Sequence, residues 1–346
     1  MSDLQIGLVA LGVVLILVVV IFNWWQDRRI RRRMQAQFPP TDEDPLLGGL
    51  PPTVGRREAA LGAVESHATD ADPAVPREAD TEEVDAVCEA VIDIAFPQPV
   101  PGAELRDAAR SLAVSDSKPV RIFAETDTGL HRVGLPADES CVSMQLAILL
   151  ANRTGPLTDI EWSRLWTAAQ SLADRFEGSV EGPELDHVIE RAAALDEQCA
   201  GLDAQVGLAV MLNGAQPVEQ VRNLVEDSGF VAVGRHLAWV AESGLARFTL
   251  LFDGVPVSLF QSASVSRLDL LLDLPNSPSD RQAFSRMAGV ARDLCQRLGG
   301  QLVDDQGREV NPASDTKIDE QLAALYAELE KAGFEPGTER TARLFS

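Results

Sequence analysis

"SMQLAILLANRTGPLTDIEWSRLWTAAQSLADRFEGSV", Ser143 to Val180, aligns without a gap on "VSRLDLLLDLPNSPSDRQAFSRMAGVARDLCQRLGGQL", Val265 to Leu302. Each copy opens on a run whose apolar residues alternate, the pattern of a strand with one buried face. A turn rich in Pro, Gly or Ser follows, then apolar residues at helical spacing, then a second short strand run. Trp162 falls on Phe284, Leu172 on Leu294, Phe176 on Leu298 and Gly178 on Gly300. The correspondence extends outward on the N-terminal side. "VDAVCEAVIDIAF", 84–96, answers "LDAQVGLAVMLNG", 202–214, each followed by a helical run ("GAELRDAARSL", "VEQVRNLVEDSGF"). "VRIFAETDTGLHRV" answers "LAWVAESGLARFTLLF", two strands around a T-G or S-G turn. Agreement of strand, turn and helix over about 110 residues reads as a tandem duplication.

Each copy reads β-α-β-β-β-α-β-β, with a helix after it ("LDHVIERAAALDEQ", "DTKIDEQLAALYAELEKAG"). Strands joined through hairpins make an antiparallel sheet, and helices inserted between them cover one face. The predicted fold class is α+β, two such units in tandem at 83–199 and 202–334, with a C-terminal tail at 335–346. A chain of 346 residues has room for both, at roughly 100–200 residues per domain.

The N-terminal quarter reads differently. "IGLVALGVVLILVVVIF", Ile6 to Phe22, carries no charge and, with its flanks at 4–25, approaches the roughly 20 residues that a bilayer needs. No basic segment precedes it and no small-residue cleavage site follows, which favours a transmembrane anchor over a signal peptide. Trp24 and Trp25 suit the interface. The arginines of "RRIRRR", Arg28 to Arg33, against Asp3 on the short side, place the following chain in the cytoplasm and the N-terminus outside it. Residues 26–82 then read as a basic juxtamembrane segment and a disordered linker rich in Pro and acidic residues. Its 45 to 50 flexible residues would span roughly 35–45 Å.

The net charge of -23 and pI near 4.5 exclude a nucleic-acid binder, since phosphate contacts need a concentrated basic face and the one basic block is topogenic. Cys88, Cys141, Cys199 and Cys295 show neither metal nor disulfide spacing, and His67, His131, His187 and His236 show no ligand spacing. There is no nucleophile elbow, phosphate loop, dinucleotide fingerprint or zinc-protease motif, so no catalytic residue, metal, cofactor or small-molecule substrate is expected. Asp304-Asp305 is the densest acidic pair. Adjacent residues at a strand end point to opposite sides, so the pair suits a turn better than one ion.

Alternation in the second unit buries Leu208, Val210, Leu237, Trp239, Phe248, Leu250, Phe252, Leu268, Leu270 and Leu272 under the helices. It turns Ala209, Met211, His236, Ala238, Thr249, Leu251, Asp269 and Leu271 outward. The result is a shallow, moderately apolar open face, of the kind that marks a peptide or protein contact unless the sister unit covers it. In the first unit, Glu89, Val91 and Asp93 form the outer row.

The anchor, the acidic tether and "GGQLVDDQGREVNP", with Gly299-Gly300, Asp304-Asp305-Gln306, Arg308 and Pro312, together resemble the ZipA family of bacterial cell-division proteins over about Leu202 to Gly333. The resemblance implies an antiparallel sheet with helices on one face. It implies a non-enzymatic adaptor at the division septum that spans the inner membrane once and holds the C-terminal tail of FtsZ on its open face. Carried onto this sequence, the groove falls at Ala209, Met211, His236, Ala238, Leu251, Asp269 and Leu271. The alternative is a membrane-anchored scaffold of the same fold whose open faces meet another partner or each other. The chain departs from the family pattern in having two such units and in placing His236 and Asp269 in the row.

Overall fold

The structure is a computed structural model that describes residues 79–110 and 118–346. The expected anchor, 4–25, and the linker up to residue 78 lie outside the described residues. Among the described residues no helix is long and apolar enough to cross a membrane.

The first sheet contains β1 (Glu89–Pro101), β2 (Val120–Thr126), β3 (His131–Val133), β4 (Ser140–Leu149) and β7 (Ser179–Glu181), in the order β3-β2-β4-β1-β7. All its pairs are antiparallel. A small hairpin of β5 (Ala151–Asn152) and β6 (Gly155–Pro156) stands apart. Helices α1 (Gly102–Ala109), α2 (Asp159–Arg175) and α3 (Leu185–Leu202) complete the repeat. Thr158 starts α2 through a capping box: its hydroxyl accepts from the Glu161 amide at 3.2 Å, and Glu161 Oε2 accepts from the Thr158 amide at 2.9 Å. The apolar stripe of α2, with Trp162, Leu165, Ala169 and Leu172, meets Ala90, Ile92, Ile94, Met144, Leu146 and Ile148 in one core.

The second sheet runs β14-β8-β13-β11-β10-β9, built from β8 (Gln205–Pro217), β9 (Val231–Val233), β10 (His236–Val240), β11 (Ala246–Phe252), β13 (Ser264–Asp273) and β14 (Gly300–Asp304). The short β12 (Val255–Pro256) pairs with β11, and every pair is again antiparallel. Helices α4 (Val218–Asp227), α5 (Ala283–Leu298) and α6 (Asp315–Lys331) cover the face that carries Leu208, Val210, Leu237, Phe248, Leu250, Phe252, Leu268, Leu270 and Leu272. Each such side chain, fully buried, contributes about 1.5–3 kcal/mol. Helix α5 has no capping side chain of its own. Asp319, from α6, supplies one: its Oδ1 accepts from the Phe284 and Ser285 amides at 2.9 and 3.2 Å.

The α+β class and the antiparallel sheets are as the alternation predicts. Gly178 and Gly300 occupy the same place in both repeats, because a Cβ on either would lie 2.7 Å from a backbone oxygen, of Ala95 or of Met211. Three details differ from the sequence reading. The two hairpins are not equivalent: in the first repeat the leading strand, β2, pairs with β4, whereas in the second the trailing strand, β11, pairs with β13. A hairpin pattern reads the same whichever arm lies inward, so the sequence could not separate the two. The strand expected after "GGQLV" is reduced to one bridge, Val303 to Glu309.

The third difference is at the C-terminus. Residues 335–346, read as a tail, contain α7 (Glu339–Leu344), and Leu344 and Phe345 are 0% and 1% exposed in the first repeat's core. One stripe of α6 serves both cores, since Leu322 and Tyr326 pack in the second and Leu329 in the first. Arg153 ties the repeats together from the β5–β6 turn. It donates to both oxygens of Asp203, at 2.7 and 3.0 Å, and of Asp273, at 2.6 and 2.8 Å. Burial alone would lower the pKa of the Arg153 guanidinium, and the Asp273 and Asp203 carboxylates reverse this and hold it above its ordinary value.

Candidate functional site: the open face of the second sheet

Cross-strand register places all seven expected groove residues on one face. Ala209 lies opposite Asp269, which lies opposite Leu251. Leu271 lies opposite Thr249, which lies opposite Ala238. Met211 is two residues beyond Ala209 and His236 two before Ala238, so both share the parity.

The depth of the row differs from expectation. Met211 is exposed, at 41%, and His236, Leu251, Asp269 and Leu271 are half-buried. Ala209 and Ala238, expected as exposed apolar surface, are buried at 2% and 0%. The cause is local: a methyl group in mid-sheet is overtopped by longer neighbours, Asp269 and Val303 beside Ala209, and Thr249 and Val231 beside Ala238. The two alanines therefore form a floor, and the contact surface is what stands around them.

Sequence reading missed one wall of this trough. Val231 and Val233, on β9, lie opposite Ala238 and His236 and are 45% and 42% exposed. Alternation in "VAVGRH", with Gly234 at φ 57° in the turn, was the available signal for a short edge hairpin.

Asp269 is the one acid in the row, and it is already engaged. Its Oδ1 accepts from Arg267 Nε at 2.6 Å and its Oδ2 from the Gly254 amide at 2.9 Å. That amide is presented by the tight Asp253-Gly254 turn, where both residues have positive φ (46° and 78°). His236 Nδ1 is buried and has no hydrogen-bond partner among the described residues. A side chain docking here would meet aliphatic groups and a thioether over a shallow floor, with the Asp269 carboxylate tied back at the centre.

The Asp304-Asp305 stretch is a turn. Asp304 Oδ1 accepts from the Gln306 and Arg308 amides at 2.9 and 2.8 Å, its Oδ2 accepts from Arg308 Nε at 2.8 Å, and Gly307 takes φ 78°. Burial raises the Asp304 pKa, but the Arg308 amide and guanidinium and the Gln306 amide outweigh it and hold the carboxyl below its usual value. Among the described residues no group of three or more His, Cys, Asp or Glu could hold a metal. Burial pushes the Cys88 and Cys199 thiols up to about 12, with the nearby carboxylates of Asp85 and Asp196 acting in the same direction, so neither presents a thiolate at neutral pH.

The outer face of the first sheet has another character. Glu89 is 1% exposed and paired with Arg121 and Arg343, and Asp93 Oδ1 accepts from Gln145 Nε2 at 2.7 Å. Among the described residues no apolar trough forms there.

Residues 256–321 match the family model described as ZipA, C-terminal FtsZ-binding domain. No curated protein matches the chain. The matched stretch runs from β12 into α6 and includes Asp269 and Leu271 of the open face and the Asp304 turn. That match lies within the second repeat and contains its D-D-Q signature, so this part of the chain is similar to the C-terminal domain of the ZipA family.

Proposed function

We propose that the chain is a non-enzymatic adaptor of bacterial cell division that holds the C-terminal tail of FtsZ on the open face of the second sheet and links it to the inner membrane. The observation that carries this reading is the coincidence of an FtsZ-binding family match with a solvent-exposed apolar trough on the same repeat. Met211, Val231 and Val233 form its exposed rim and Leu251 and Leu271 its half-buried wall. The membrane half is proposed from the sequence: the uncharged run at 6–22 and the arginines that follow support a single pass with the repeats in the cytoplasm, at the septum. A shallow trough gives modest affinity per site. Confinement to the membrane beside a polymer that displays many tails compensates through effective concentration.

The sister-repeat alternative is not favoured, because Met211, Val231 and Val233 stay exposed while the repeats meet through helices and Arg153. The test is titration of the full-length chain with the FtsZ C-terminal peptide. Met211→Lys and Leu271→Asp should each weaken binding at least tenfold with far-ultraviolet circular dichroism unchanged. Wild-type affinity in both folded variants would refute the assignment of the face. Absence of binding by the wild-type chain would favour the scaffold for another partner.

A further inference from the structure

The β2–β3 end of the outer face of the first sheet is covered by the chain's own approach segment. Residues 79–87, "ADTEEVDAV", begin at the free edge of β3. There the Asp80 amide donates to the His131 carbonyl at 3.0 Å, and the Val133 amide donates to Asp80 Oδ2 at 2.8 Å. The segment then crosses the face. His131 Nε2 is 2.7 Å from the Glu82 carbonyl, Arg121 Nη2 donates to the Glu83 carbonyl at 3.1 Å, and Arg121 pairs with Glu82. Arg340 pairs with Asp85 at the far end. Beneath it Phe123 is 0% exposed, its ring stacked on His131 at 5.6 Å and capped by the Arg121 guanidinium at 4.8 Å.

What holds the segment is chemically one-sided. Residues 79–83, 86 and 87 are exposed, Val87 at 54%, so the segment contributes almost no buried apolar side chain of its own, and Phe123 is the large apolar group beneath it. Its grip consists of backbone hydrogen bonds and ion pairs near the surface, which are individually weak and screened by salt. Such a segment opens locally without unfolding the core that it covers. The face that it would leave behind carries Arg121, which buried Glu89 also holds, Arg340, His131 beside the Phe123 ring, and the outer edge of β3. Asp80 and Glu82 sit at alternate positions, as an extended chain needs to direct both carboxylates to one side.

We propose that the outer face of the first sheet is a second peptide-binding surface, that it takes extended acidic segments, and that residues 79–87 are its detachable occupant in cis. The two repeats thus present the same side of the same fold to different chemistries, an apolar trough on one and, on the other, an Arg121, His131 and Phe123 cluster that pairs with carboxylates. Tethering gives the cis segment a concentration advantage over any free peptide. Its release would lengthen the leader that precedes β1 by about 30 Å of extended chain.

The test uses the full-length chain, a double variant Asp80→Lys/Glu82→Lys, and a fluorescent peptide of sequence ADTEEVDAV. The peptide should bind the variant at least tenfold more tightly than the wild type, and the affinity should fall as sodium chloride rises. A peptide with lysine at its two matching positions should not bind. Equal affinity for variant and wild type, or equal binding of the lysine peptide, would overturn the proposal. Hydrogen exchange gives a reading that does not depend on the variant. In the wild type the amides of 80–87 should exchange faster with added salt while β1 and β4 stay protected; release of all three together would show that the segment is part of the core.

Discussion

Shortening the chain by its last eight residues should damage the first repeat, not the second. Helix α7 has six residues, too few to persist as an isolated helix in water, so its stability comes from what it buries. Leu344 and Phe345 supply that burial at 0% and 1% exposure, and the Phe345 ring meets Phe334 edge-on at 6.2 Å. The Phe345 carbonyl also accepts from Asn276 Nδ2 at 2.9 Å, which fixes the chain end against the second repeat. Removing a buried phenylalanine side chain costs about 3–5 kcal/mol, and a site next to a chain end relaxes more than mid-core, which places Phe345→Ala near 3 kcal/mol. At about 1.4 kcal/mol per tenfold, amides of β1 and β4 that exchange only when the first core opens should lose about a hundredfold in protection.

The assay is native-state hydrogen exchange followed by mass spectrometry on Phe345→Ala, with Ser346→Ala as a control that should be silent because Ser346 is exposed. Loss confined to the first sheet is the expected result. Protection of β1 and β4 within threefold of wild type would show that the C-terminal helix is an ornament. Greater loss in β8 and β13 would show that the helix belongs energetically to the other core.

Arg153→Leu leaves Asp203 and Asp273 facing each other without their shared cation, in a site where the Asp203 side chain is 8% exposed. It should cost about 3 kcal/mol by thermal or urea unfolding and uncouple the two repeats into separate transitions; a single unshifted transition would refute the clamp. Asp304→Asn tests the turn through pH. The folded pKa is lowered, so the stabilisation is complete above the ordinary carboxylate value of about 3.9 and disappears as pH falls through the lower folded value. The difference in Tm between wild type and variant should be constant above about pH 5 and close toward pH 3. A difference independent of pH would assign the effect to turn geometry and not to charge.

The sequence made parity legible, and depth much less so. Period-two alternation in "SRLDLLLD" assigns Leu268, Leu270 and Leu272 to the core and Asp269 and Leu271 to the other face, because a one-residue error would bury Asp269 under α5. Alternation cannot say that Ala209 and Ala238 lie below their neighbours, since exposure depends on the lengths of side chains on adjacent strands. The order of strands within a hairpin is equally silent. The approach segment and α7 escaped for a shared reason: one has almost no buried apolar side chain of its own and the other is a single turn and a half, so neither produces a periodic signal.

These two unread segments also change how the molecule holds together. Asp85 and Glu89, at the entrance to β1, pair with Arg340 and Arg343 from α7, so the two ends of the described body are clasped on the first repeat. The family match lies entirely in the second repeat. The first repeat holds both residues 79–87 and α7, and is joined to the second by a shared helix, α6, and the Arg153 clamp. A duplicated domain whose copies did the same work would retain the same outer face. Here one copy keeps an open apolar trough and the other has turned its face to binding the chain itself. On the proposed function, the two repeats divide the work between a unit whose exposed trough meets the partner and a unit that holds residues 79–87 and α7.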